Sequence, residues 1–291
     1  MTIQEVQREV KQIQIHTKHL LTNQFVGSFR TAVRGAGLEF DEIRQYFHGD
    51  DVRRIDWNVS ARTNNLFIKQ YREERELNIH ILVDVSRSQR IINRQKWLKT
   101  LGLAASLGLA SLRNRDNVSL ASFSNSLIAY FPTTKQESQF LANLTHIIYQ
   151  TPENQTTNLR ETLQAWLRRH PKRGVLFVIS DCFAPCEYHD IVQTLTKQYQ
   201  LVFFRVLEPA FLPKIRGFLP VQDSETGENQ LVSGNIHSSF SWNKINAEIT
   251  GYLREMYQKN GIGFVQFDNN QDFFSKIQLF FSRPTLKQFL T

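Results

Sequence analysis

Cysteine is scarce in this chain: two in 291 residues, Cys182 and Cys186, on either side of an F-A-P turn. Two thiols do not make a disulfide framework for a chain this long. C-x-x-x-C is also a poor metal clamp without further Cys or His beside it, so reduced thiols are expected. Long apolar runs are missing as well. No stretch reaches the roughly 18 residues that a spanning helix needs. The opening MTIQEVQREVKQIQIHTKHLL is amphipathic, without the unbroken apolar core and small-residue cleavage site of a signal peptide. A soluble, cytoplasmic protein is the expectation. Signatures of common enzyme chemistry are absent too: no G-x-x-x-x-G-K-[ST] phosphate loop, G-x-S-x-G elbow, H-E-x-x-H pair or Rossmann glycine pattern. His48 and His80 have no evident partner in the sequence. Asp84 lacks the second Asp two residues on that a phosphoryl-accepting carboxylate usually has, Ser86 standing there instead. The chain reads as something other than an enzyme.

What is present is a large apolar reserve and an uneven charge. Hydrophobic residues make up 41%, with 22 Phe, enough for a sizeable core. The net charge is +8. Residues 1–77 hold 12 Lys/Arg against 11 Asp/Glu, and residues 78–291 hold 23 against 16. Between Val85 and Arg115 there are seven basic residues and no acidic one: Arg87, Arg90, Arg94, Lys96, Lys99, Arg113 and Arg115. Such a run is either a solvated face that aids solubility or a surface for an acidic partner, protein or nucleic acid.

The rhythm of the sequence changes near residue 78. Before it, Ile3, Val6, Val10, Ile13, Thr17 and Leu20 form a helical stripe. Residues 27–65 read as loops and short strands, and a strand is expected from Leu66. After it, short apolar runs (NIHILVDV, NVSLASFS, SLIAYF, GVLFVISD, QLVFFRVL, GFVQFD) are interspersed with helical segments from Lys96, Glu137, Asn158, Asp190 and Trp242, and over the last twenty residues. NVSLASFS and SLIAYF look like paired strands. This alternation predicts an α/β fold: a doubly wound, mostly parallel sheet with helices on both faces. The expected division is an N-terminal helix and small irregular or β segment over 1–77, and the α/β domain over 78–291. A long surface loop or hairpin is expected near 221–241.

In an open parallel sheet, ligands gather at the carboxyl ends of the strands. Asp84 ends HILVD, and Asp181 ends VLFVISD. Ser86 and Ser88 follow the first, and Thr157 precedes a helix. If the two strands are neighbours, two carboxylates and three hydroxyls form an all-oxygen cage with little formal charge. Hard cations choose oxygen, and Mg²⁺ keeps few protein ligands. A metal held this way keeps unspent charge and attracts an acidic ligand. Taken singly, the same residues could be helix caps or turn formers.

This set, D-x-S-x-S after a buried strand, T-x-L before a helix and S-D after a later strand, resembles a von Willebrand factor A domain and its metal-ion-dependent adhesion site. The resemblance implies Mg²⁺ or Mn²⁺ bound directly by Ser86, Ser88 and Thr157, with Asp84 and Asp181 acting mainly through water. Upstream, GLEFDEIRQYFHGDDVRRIDWNVSARTNNLFIKQYREER is similar to the signature of the domain of unknown function 58 family. Gly37, Glu39, Phe40, Arg44, Tyr46, Gly49 to Asp51, Arg53, Ile55 to Trp57, Ala61 and Arg62 carry that similarity, and DSETGE at 223–228 adds to it. Two departures are Gln89, where Met is usual, and Asn158, where an acidic residue is common.

The resemblance implies an adaptor that works with a MoxR-type AAA+ ATPase in the assembly or maturation of protein complexes. The alternative is a basic nucleic-acid-binding or nuclease-like protein, built on the basic run and on Asp50, Asp51 and Asp56. Arg44, Arg53, Arg54 and Arg62 are interleaved with those aspartates, which favours structural ion pairs, with Trp57 anchoring the segment against the α/β domain. The run 87–115 holds one aromatic, Trp97, and so lacks the stacking platform of single-strand binders. Nucleic acid is therefore disfavoured. An acidic protein ligand at the metal, met by Arg87, Arg90 and Arg94, is the expected partner.

Overall fold

A computed structural model describes residues 42–47, 50, 52, 55–63, 65–70, 76–90, 94–150, 156–169, 171–182, 188–207, 218–222, 229–233, 237–267, 276, 277, 279 and 280. The helix expected over residues 3–21 lies outside them, as do Cys186, His48 and Asp51. Among the described residues, no helix is long and apolar enough to cross a membrane.

The first described elements form a small unit. Strand β1 (Glu42–Gln45) pairs antiparallel with β2 (Phe67–Gln70), and helix α1 (Trp57–Thr63) lies between them in the chain. For residues 27–65 the sequence suggested only loops and short strands. The helix forms because Asp56 caps it: its Oδ1 accepts the backbone N–H groups of Asn58 and Val59 at 3.0 and 3.3 Å. The Ser60 hydroxyl then accepts from Phe67 N at 2.9 Å and ties the helix to β2.

The main sheet has six strands: β3 (Asn78–Asp84), β4 (Asn117–Phe123), β5 (Leu127–Thr134), β6 (Gly174–Ser180), β7 (Tyr199–Val206) and β10 (Gly263–Phe267). Their spatial order is β10-β7-β6-β3-β4-β5. All neighbours are parallel except β4 and β5, which form the expected antiparallel pair. The pairing of β5 shows register shifts between Val118 and Leu120 and between Ser122 and Phe123, and the strand contains Pro132. A separate hairpin, β8 (Phe218–Gln222) with β9 (Asn229–Ser233), overlaps the first part of the stretch 221–241, and a helix begins at His237.

Helices cover both faces. On one face Ile79, Ile81, Val83, Phe177 and Ile179 pack against α3 (Arg94–Arg113) and α4 (Glu137–Tyr149), through residues such as Leu101, Leu107, Phe140 and Ile147. The alternate residues Leu82, Leu176, Val178, Leu201 and Phe203 face the other way. They meet α5 (Leu159–Arg168), α6 (His189–Leu195) and α7 (His237–Lys259), through Leu163, Trp166, Val192, Leu195, Leu253 and Tyr257. This two-sided burial is why the strands read as continuous apolar runs. Helix α6 stops sooner than its pattern suggested, because Tyr199 pairs with Gly174 at the start of β7. Helix α7 begins five residues before Trp242.

Helix α3 is buried almost all round from Thr100 to Leu112, and its small residues make that possible. A side chain at Gly108 would run into the Phe140 ring. Its buried hydroxyls do not compete with the core: Ser106 donates to Gly102 O at 2.6 Å and Ser111 to Leu107 O at 2.8 Å. Ahead of it, after β3, is one short turn, α2 (Arg87–Arg90).

His80, in the middle of β3, is wholly buried. Its Nδ1 lies 2.6 Å from Ser119 Oγ and its Nε2 lies 2.7 Å from Lys172 O. The histidine that lacked an evident partner in sequence thus has two, one from β4 and one from the loop before β6. Burial lowers its pKa from the ordinary 6.5 to about 4. The unfolded chain takes up this proton near 6.5 and the folded chain only near 4. Stability is therefore intact above 6.5 and declines as pH falls between the two values, by roughly 3 kcal/mol. Replacing His80 with Asn should remove that acid-side decline. Chemical denaturation of both proteins from pH 7 to 4 measures it, and a constant difference between them across that range would contradict a neutral buried imidazole.

Candidate functional site

Strand order decides where the crevice opens. From β3 the chain goes outward to β4 and β5, then returns to the other side of β3 for β6, β7 and β10. The reversal lies between β3 and β6, and at such a switch point the loops after the two strands part and leave a crevice. The pairing of Val83 with Ile179 puts Asp84 and Asp181 at that rim. The condition set by the sequence, that the two strands be neighbours, is met.

The rim is a dense polar network. Asp84 is fully buried. Its Oδ1 accepts from the Ser86 N–H at 2.9 Å and its Oδ2 from Ser180 Oγ at 2.6 Å. Ser86 Oγ and Ser88 Oγ are 3.1 Å apart, and Ser88 Oγ donates to Asp181 Oδ2 at 2.8 Å. Burial, then the nearby charge of Asp181, pushes the Asp84 carboxyl up to about 7, against the pull of its bonds from Ser180 and Ser86. Two carboxylates this close and this dry repel each other, and positive charge between them relieves that cost.

Thr157 joins the same rim from the far side of β3. The N–H of the next residue, Asn158, donates to Ser124 O at 2.9 Å, just past the end of β4, while Val85 N donates to Phe123 O at 2.8 Å. Asn158 caps α5, its Oδ1 accepting from Glu161 N at 2.9 Å. Two buried oxygens in this set have no hydrogen-bond partner: Thr157 Oγ1 and Asp181 Oδ1. An unsatisfied buried polar atom costs ~1–3 kcal/mol. The donor set is all oxygen, it contains two carboxylates, and two of its atoms await a partner. It fits a hard cation. Among the described residues no three of His, Cys, Asp and Glu converge, so such a site relies on hydroxyls.

Three residues that sequence reading did not assign to the site shape it. Ser180 bonds to Asp84 and also accepts from Cys182 N at 3.1 Å. Arg205, wholly buried on β7, donates its Nε to Asp181 O at 2.7 Å and reaches Thr250 and Asn246 of α7 at 2.8 and 2.9 Å. These bonds hold Cys182 at a left-handed φ of 53°, a conformation that costs ~1–3 kcal/mol for a non-glycine residue. Cys182 is a free, buried thiol, pushed up to about 12 mainly by burial, and so is held protonated. Lys96 is the third. Sequence reading put it on a basic surface. Instead it is 6% exposed, and its Nζ lies 3.1 Å from Asp181 Oδ2 and 3.2 Å from Ser88 O. A buried ammonium needs a counter-charge, and the rim carboxylate supplies it. Of the expected partner-binding residues, Arg94 is exposed and Arg87 half-buried. The side chain of Arg90 lies outside the described residues.

Two of the upstream aspartates, Asp50 and Asp56, have other tasks. Arg44 grips Asp50 with two bonds of 2.8 and 2.6 Å, the expected ion pair, and this contact holds the Asp50 carboxyl below its ordinary range. Asp56 caps α1, as described above. Trp57 is 68% exposed and so is not buried against the α/β domain, which corrects the expectation from sequence. It is the first residue of a short helix whose buried side is Ser60, and the opening position points outward.

The family described as protein of unknown function DUF58 matches residues 42–242. The uncharacterized protein Mb1516 of Mycobacterium bovis is 26% identical over 224 residues, 75% of this chain and 70% of that protein. The uncharacterized protein Rv1480 of Mycobacterium tuberculosis matches to the same extent. Among solved structures, the conserved hypothetical protein BatB from Bacteroides thetaiotaomicron aligns with a TM-score of 0.43 at 15% identity, over 73% of this chain and 99% of that one.

A cap and a metal ligand respond differently to truncation. Asp56→Ala should lower stability by ~0.5–2 kcal/mol, the loss of a helix cap, and leave metal stoichiometry unchanged. Thermal unfolding together with metal analysis checks both. Unchanged stability with a lost metal would assign Asp56 to a second cation site.

Proposed function

We propose that this chain, which belongs to the DUF58 family, is a metal-dependent protein-interaction module and not an enzyme. The observation that carries the reading is the pair of buried oxygens without hydrogen-bond partners, Thr157 Oγ1 and Asp181 Oδ1, at the rim where Asp84 and Asp181 follow adjacent strands at the switch point of the sheet. Ser86, Ser88 and Thr157 would hold Mg²⁺ or Mn²⁺ directly, with Asp84 and Asp181 bound mainly through water, as in the von Willebrand factor A domains that the motif resembles. The cation would supply Lewis acidity toward an acidic side chain from a partner. The chain's own residues keep the site dry, fix its oxygens and surround it with positive charge.

The finer reading is an adaptor. A MoxR-type AAA+ ATPase would do the work on protein complexes, and this chain would recognise the client, in a cytoplasmic setting that keeps its thiols reduced. An acidic loop would approach over the segment bearing Arg87, Arg90 and Arg94. Charge on that path speeds encounter more than it adds affinity.

Replacing Ser86 and Ser88 together with Ala should abolish Mg²⁺ binding and leave the fold intact. Calorimetry decides, and equal Mg²⁺ affinity in wild type and double variant would sink the ligand assignment. Partner binding, measured by surface plasmon resonance, should vanish in EDTA. Replacing Arg87, Arg90 and Arg94 with Gln should mainly slow association and weaken its salt dependence. Binding that ignores EDTA but is lost in the triple Gln variant would make the basic surface the site.

A further inference from the structure

Lys96 has no part in the cation-binding scheme, yet it is bonded to two of the residues that the scheme uses. We propose that Lys96 is a tethered counter-ion that guards the crevice, and that a divalent cation enters only by displacing its ammonium group from Asp181. The proposal deepens the metal-dependent reading and rests on it.

Three observations carry it. First, the ammonium is built in. Arg94 and Gln95 at the start of α3 are exposed and Lys99 is half-buried, but Lys96 turns inward and is 6% exposed. Second, its bonds go to the rim itself, to Asp181 Oδ2 at 3.1 Å and Ser88 O at 3.2 Å. The carboxylate that a cation would need is thus already engaged, and so is the backbone of a proposed ligand. Third, Lys96 does not fill the cage. Asp181 Oδ1 and Thr157 Oγ1 remain without partners. An ammonium that replaced the metal for good should have used them. The arrangement is half satisfied, which suits a resting state and not a permanent substitute.

Charge then sets the direction. A divalent ion held by these oxygens would stand beside a like charge in a dry crevice. A unit charge within about 4–6 Å changes the proton affinity of a carboxylate by about 10- to 1,000-fold, and a doubly charged ion feels the same field more strongly. The ammonium must leave as the ion arrives. Lysine suits that movement, because its charge sits at the end of a flexible stem and hydrates strongly once outside.

The test uses the full chain and Mg²⁺ alone. In calorimetry, Lys96→Met keeps much of the stem and removes the charge, and should bind Mg²⁺ at least tenfold more tightly than wild type. The same variant should melt at a lower temperature than wild type in EDTA, and should recover most of that loss in saturating Mg²⁺. A second measurement needs no variant. Reductive methylation of wild type, read by mass spectrometry, should leave Lys96 protected in EDTA and label it several-fold faster in saturating Mg²⁺, with exposed Lys259 as the constant reference. Equal Mg²⁺ affinity in variant and wild type, or Lys96 labelling that saturating Mg²⁺ does not change, overturns the guard and leaves the cation site standing. If neither protein binds Mg²⁺, the site and its guard fall together. Should Lys96→Met not fold, the labelling of wild type decides.

Discussion

Two carboxylates are held side by side out of water by the parallel pairing of β3 with β6, and much of the crevice responds to that. Strand geometry alone forces the proximity: the register that matches Val83 to Ile179 leaves Asp84 and Asp181 nowhere else to go. The cost of two dry negative charges is then spread over neighbours. Ser180 and Ser86 bond to one, Ser88 and Lys96 to the other, and Arg205 secures the backbone beneath. The left-handed turn at Cys182 is tolerated because those bonds over-determine it. Helix α3 matters for the same reason. Gly108 lets it lie close to Phe140 of α4, and its first turn delivers Lys96 to the rim.

The sequence made some of this legible and hid the rest, for physical reasons. Buried strands such as VLFVIS announce themselves, because burial on both faces demands an unbroken apolar run. Asp84 and Asp181 stood out because a carboxylate ending such a run is costly unless it has a task. Ser86, Ser88 and Thr157 followed from spacing. Lys96 did not. It belongs to a basic run in which Arg87, Arg94, Lys99, Arg113 and Arg115 are more exposed, and only the packing of α3 tells it apart. Arg205 was hidden likewise inside a strand, its partners 45 and 41 residues downstream on α7. Trp57 misled in the opposite sense: a large aromatic suggests an anchor, but its place at the head of a short helix turned it to solvent. The aspartates of the upstream segment were read as ion-paired, and the Arg44–Asp50 contact agrees. The cap formed by Asp56 was a local signal that the interleaved arginines obscured.

The two histidine and cysteine environments show how the same burial serves different ends. His80 is neutral because it is dry, and it ties β3 to β4 and to the approach of β6. Cys182 keeps its proton for the same reason, so the left-handed corner beside the crevice carries no reactive nucleophile. The rim, among the described residues, is thus an arrangement of hard oxygens and fixed charges.

The outer strand β5 closes the sheet on the side away from β10. It runs antiparallel to its one neighbour, β4, its register slips twice, and Pro132 withdraws one backbone donor. An edge of this kind is a poor template for another chain's backbone. Recruitment by strand addition, which reads little more than the peptide repeat, is discouraged there. At this edge of the main sheet, side chains rather than backbone are what the surface offers, and the same sheet places its polar side chains at the mouth of the crevice.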